Sequence, residues 1–262
     1  MIDDVLAVLK DFDNFEQSLS KKEIIRFARK SVDPNNLTNI LSELVSKKYI
    51  LKKNERYAIR DTSLKKYRKN YQTAKKLISF SKKYVDFLIK SPFIKGVAIS
   101  GSVAINDASE NDDIDFFIIT SEKIVWLARF YSLFVARIFL IWHHKPLNLF
   151  CLNLFFESGN LEVPKCKKNL NVAYEIIKLR PLVDKSNTFI NFYQQNKWYK
   201  QYFPNRQDVI NYDNIINDEI IEHGAVMVIL KPLNFVFKTA QKLWLKYKRV
   251  SFTEHNGQLW LC

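Results

Sequence analysis

The stretch from Lys95 to Thr120, KGVAISGSVAINDASENDDIDFFIIT, constrains the fold of this chain more than any other. Gly96 to Ser100 has the short apolar character of a buried strand. Gly101-Ser102 interrupts it with the one residue type that lets a backbone come close to a ligand, and a turn into a short helix is expected to follow. Ten residues separate Ser102 from Asp113, and Asp113-Ile114-Asp115 then opens a second strand-forming run, Phe116 to Ile119. Alternate side chains of a strand share a face, so Asp113 and Asp115 are predicted to point the same way with Ile114 buried behind them.

Two carboxylates this close repel each other unless a cation neutralises both. Magnesium suits them, being a hard ion held by one or two carboxylates plus substrate phosphates. A pair of such ions can grip both the attacking and the leaving oxygen of a phosphoryl transfer. The Gly101 and Ser102 amides and the Ser102 hydroxyl would then face the phosphates. The plainer alternative is an acidic loop entering an ordinary strand.

The glycine-serine pair, the ten-residue interval and Asp-x-Asp resemble the signature of the DNA polymerase beta-type nucleotidyltransferase superfamily, in particular its minimal bacterial and archaeal members. The likeness covers Pro92 to Leu161 directly. It implies an enzyme that uses magnesium, as one ion or two, to move a nucleoside monophosphate from an NTP to an acceptor hydroxyl. Asp113 and Asp115 would be its catalytic metal ligands, and Gly101 and Ser102 its nucleotide-binding turn. The acceptor is left open among a protein, an RNA end and a small molecule, and an antitoxin-like enzyme that modifies a toxin partner is one form of the first.

The superfamily also implies a third carboxylate on a later strand. In LNLFCLNLFFE, residues 147–157, that position falls near Leu152-Asn153-Leu154 and holds Asn153. An amide can orient a metal or nucleotide but cannot accept a proton as a general base. Glu157, four residues on and on the same expected face, is the other candidate, and both stay open. Cys151 reads as core filling. The amide keeps a second function in play: a winged-helix nucleic-acid-binding protein whose nucleotidyltransferase domain senses a nucleotide and is catalytically weak.

The expected fold class is α+β: a mixed sheet with flanking helices over residues 66–165, preceded by a winged helix-turn-helix over 1–65 and followed by a helical region over 166–262. Asp3–Phe15 reads as a first helix. Ser20 with Glu23 forms the capping box of a second, and Asn36 precedes a third. Ile50–Arg60 reads as a hairpin whose wing would carry Lys52, Lys53 and Arg56. Tyr71–Ile89 is an amphipathic helix ended by Pro92. The N-terminal 95 residues hold 22 of the 41 Lys and Arg but 11 of the 27 Asp and Glu. That cationic field favours phosphate-bearing partners, nucleic acid above all, or is simply a well-solvated surface.

Ser121 is placed as the cap of a helix through Ile124–Trp142. Its length approaches a membrane span, but Arg129 and Arg137 would each cost roughly 2.5 to 3.5 kcal/mol at a bilayer centre, so no membrane is expected and the arginines are assigned to the cleft. Arg137 and His143 share the Arg-x5-His spacing of HEPN ribonucleases, yet lie inside the sheet domain rather than in a separate bundle. Asn171–Arg249 reads as helices punctuated by proline, with a break near Pro232. Tyr193, Asn196, Lys197 and Trp198 are candidates to touch a base or acceptor. Three cysteines without metal-ligand spacing and an acidic start point to a cytoplasmic protein.

Overall fold

The structure, a computed structural model, describes residues 2–185, 187–205 and 224–261. Helix α1 (Ile2–Asp13), strand β1 (Leu19–Ser20), helices α2 (Lys21–Phe27) and α3 (Pro34–Ser46), and strands β2 (Leu51–Lys53) and β3 (Arg56–Ala58) come first. The small sheet is antiparallel in the order β1-β3-β2. The capping box is present: the Ser20 hydroxyl accepts from the Glu23 amide while the Glu23 carboxylate takes the Ser20 amide at 2.7 Å. Asp33, not Asn36, caps α3, with Pro34 in its first turn.

The hairpin tip is tighter than expected. Asn54 and Glu55 both have positive φ, the two-residue turn that matches strand twist, so Arg56 already belongs to the inner strand. Its side chain is buried, paired with Glu23 at 3.0 Å and laid over the Tyr67 ring, and it is no part of an exposed wing. The exposed positions of α3 carry polar side chains and Glu43 rather than cations. Several N-terminal cations are also matched by acids, among them Arg29 with Asp11 and Arg60 with Asp13.

Helix α4 (Asp61–Leu88) is one uninterrupted rod, ten residues longer at its start than its periodicity marks. It leads into β4 (Ile94–Ile99), α5 (Gly101–Ala104), β5 (Ile114–Thr120), α6 (Val125–Trp142) and β6 (Phe150–Glu157). Then follow α7 (Leu170–Lys178), β7 (Arg180–Asp184), α8 (Thr188–Gln195), α9 (Gly224–Tyr247), β8 (Phe252–His255) and β9 (Gln258–Leu261). The six-stranded sheet has the order β7-β4-β5-β6-β9-β8, and only β5 and β6 run parallel. Residues 166–262 are therefore not helical alone: β7 edges the sheet on one side and the β8-β9 hairpin on the other.

The sheet is covered on both faces. Ile114, Phe116, Ile118 and Phe155 pack toward α4, α6 and α9, whereas Phe117, Ile119 and Phe156 pack toward α7, α8 and the N-terminal helices. The second core runs without a break from Val8 and Phe27 to the sheet, and Asn205 fastens it by accepting the Val32 amide at 2.9 Å.

The α6 start departs from expectation. Its free amides are not satisfied by Ser121: Glu157 accepts those of Ile124 and Val125 at 3.1 and 3.3 Å, and Asn234 accepts those of Trp126 and Leu127 at 2.9 and 3.0 Å. Arg129 is buried against α9, donating to Gln241 at 2.6 Å, and Arg137 is exposed on the same outer layer, so neither reaches the cleft. His143 lies against Phe139 at the helix end. Helix α9 runs through Pro232 unbroken, held by Asn234, Gln241 and Leu245 on its inner side. Residue 186 and residues 206–223, within the expected helical stretch 171–249, lie outside the described residues.

Candidate active site

Gly101 sits at the bend between β4 and α5 with φ +67, a conformation other residues rarely adopt. A side-chain carbon there would also lie 2.7 Å from Asp115 Oδ2, so the bare backbone is what lets the carboxylate come up to the turn. The Ser100 amide donates to the Asp115 carbonyl at 3.0 Å and pins the two strand ends together. The Ser102 hydroxyl donates to Asp112, which also takes the Ser109 amide at 3.2 Å. It is thus committed to closing its own loop, while a cavity of about 500 Å³ opens beside Ser102, Asp107 and Asp112.

Asp113 and Asp115 lie on one face, as the alternation requires, with Ile114 fully buried behind them. Because β5 and β6 are parallel, Asp115 is registered with Cys151. Ligand atoms of Asp113, Asp115 and Cys151 all lie within 4.8 Å of one another, the one such group of possible metal ligands among the described residues. Burial raises the Asp115 carboxyl; the Cys151 thiol bonded to it works the other way, and the charges of Asp113, Glu175 and Asp112 push it further up. Burial likewise pushes the Cys151 thiol up, with Asp115 and Asp113 adding to the effect, so the sulfur stays protonated.

This donor set fits magnesium through its two carboxylates. A protonated thiol is a poor partner for a hard ion, and Cys151 acts instead as a hydrogen-bond donor to Asp115. Asn153 is exposed next to it, its amide donating to the Cys151 sulfur at 2.8 Å. Alternation alone keeps Asn153 on the face of Cys151, and one extra residue in β6 between the Asp115 and Phe117 registers turns Leu154 to that side of the sheet as well.

Glu157 is not brought to this cluster. It pairs with Thr120 at the far end of β6, where it serves the amides of α6. Asn196 is wholly buried, accepting the Val163 amide at 2.8 Å and donating to the Leu161 carbonyl, and Tyr193 is core. Lys197 is exposed and Trp198 half-buried, its indole donating to Asn196 at 3.2 Å. Cys151 is the site residue that the alternation alone did not reveal. The signal was its place three residues before the start of the aligned Leu154-Phe117 pairing, readable only once the register was known.

Adjacent strands of a mixed sheet bring Asp113 and Asp115 together beside the Gly101 bend. The family model of the nucleotidyltransferase domain matches residues 81–236, more than half of the chain, and this protein belongs to that family, in keeping with the DNA polymerase beta-type superfamily. No curated protein and no solved structure matches the chain. The domain carries nucleoside monophosphate transfer as its general chemistry and implies an NTP as substrate.

Proposed function

We propose that this protein is a magnesium-dependent nucleotidyltransferase that moves a nucleoside monophosphate from an NTP to an acceptor hydroxyl on a protein, an RNA or a small molecule. The observation that carries the reading is the pair Asp113 and Asp115 on one face beside the Gly101 bend. The acceptor oxygen bonds to the α-phosphorus, the bond from that phosphorus to the bridging oxygen breaks, pyrophosphate leaves, and the hydroxyl proton passes to solvent.

In this reading Asp113 and Asp115 would hold the ions, which would supply positive charge to offset that of the triphosphate and of the transferring phosphoryl group. Gly101 keeps the backbone low enough for the phosphates, and Ser102 fixes the loop through Asp112. Cys151 and Asn153 orient Asp115 and its surroundings without supplying a base. The three-part division at 65/66 and 165/166, a winged-helix role for the N-terminal part and a cytoplasmic location belong to the same proposal.

A second reading is supported by the neutral pair Cys151 and Asn153 where a third carboxylate is expected: a nucleic-acid binder whose domain senses a nucleotide without turning it over. Labelled NTPs and magnesium, offered with RNA and with protein acceptors, separate the two. Wild type should transfer label, and Asp113→Ala/Asp115→Ala should transfer none. A wild-type protein that never transfers label yet shifts duplex DNA would establish the second reading over the first.

A further inference from the structure

The sheet face opposite the aspartates carries an outer layer with an unusual surface. Of the seventeen large apolar side chains exposed among the described residues, eleven lie on α6 and α9. On α6 they are Phe130, Phe134, Ile138, Ile141 and Trp142, spaced to form one stripe. On α9, Leu233, Val236, Leu243 and Tyr247 follow one another at intervals of three, seven and four along one flank, with Trp244 beside them. Phe130 and Phe237 meet at 4.3 Å between ring centres, so the two stripes join into a single surface. Scattered apolar residues need no explanation, but a continuous patch of this kind on a soluble surface marks a binding face.

The charges around the patch choose its occupant. Neither α6 nor α9 contains an aspartate or glutamate. Arg137 on α6, Lys246 on α9, and Lys145, Lys248 and Arg249 just past the ends of the two helices are all exposed. A second copy of the chain would set these cations against their like, at a net charge of +14 per copy. A nucleic acid would answer the cations and leave the apolar stripes in water. An anionic lipid surface answers both, since headgroup phosphates meet the cations, apolar side chains sink below them, and Trp142, Trp244 and Tyr247 suit the boundary.

We propose that the joined outer faces of α6 and α9 dock this protein on an anionic lipid bilayer, with both helices lying in the headgroup plane. A span is a different matter: half of the apolar window Val125–Trp142 is buried inside the protein, and buried Arg129 is tied to Gln241. The arrangement turns Asp113 and Asp115, on the other side of the sheet, toward the solvent.

The full chain, sedimented with phosphatidylcholine vesicles with and without phosphatidylglycerol, tests this. Binding is expected only to the anionic vesicles, weakening with salt, with a blue shift of tryptophan emission. Ile138→Ser/Leu243→Ser, at exposed positions, should lower vesicle affinity about tenfold or more while leaving the thermal midpoint in place. Lys246→Glu/Arg249→Glu should do the same through charge. Failure of the wild type to sediment with anionic vesicles, or full binding by both variants, would overturn the proposal. So would a dimer in solution that dissociates in Ile138→Ser/Leu243→Ser without any vesicle binding.

Discussion

Asp107 gives the sharpest energetic test of how the site loop is held. It is 4% exposed, in the loop between α5 and β5, and its amide donates to the Ser102 carbonyl at 3.0 Å. Burial raises its carboxyl from 3.8 to about 6; the Asn70 amide, donating at 2.8 Å, and the charge of Arg56 oppose this, while Glu23 and Asp112 add to it. In the unfolded chain the proton leaves near 3.8, so between that value and about 6 the native state binds more protons and stability falls as pH rises. Roughly two units at about 1.4 kcal/mol each make the cost of the charged form about 3 kcal/mol above pH 6. Asp107→Asn removes that charge and keeps an acceptor for Asn70. Urea unfolding of both proteins should show the variant more stable by about 2 to 3 kcal/mol at pH 7.5 and equal near pH 4. A difference of the same size at both pH values, or a less stable variant at pH 7.5, would refute the linkage.

Gly101→Ala should lower stability by about 1 to 2 kcal/mol from the positive φ alone, and the clash with Asp115 should abolish label transfer; calorimetry and the transfer assay read the two effects. Glu157→Ala should cost roughly 0.5 to 2 kcal/mol through the lost α6 amides and leave transfer intact, which the same pair of measurements checks.

The local features were legible because short-range physics writes them into the sequence. Alternation put Asp113 and Asp115 on one face, and the Ser20–Glu23 spacing placed a helix start. What escaped depends on distant partners. Arg180–Asp184 shows no strand alternation, its last three residues all being buried, and it is a strand only through its pairing with β4, while Phe252–Leu261 pairs with a strand about a hundred residues earlier. Glu157 looked like a site residue by face alone; the register with Thr120 put it at the wrong end of the strand. Cys151 looked like filler until the parallel pairing set it against Asp115, and Arg56 looked exposed until the two-residue turn drew it inward.

The β8-β9 hairpin has a consequence for how the sheet is completed. Until Gln258–Leu261 arrives, one side of β6 offers bare amides and carbonyls from Leu154 to Phe156, flanked by aromatic rings, to any extended strand nearby. A nascent or nicked chain is therefore sticky along that rim, and the hairpin acts as an internal seal against polymerisation as much as a piece of architecture.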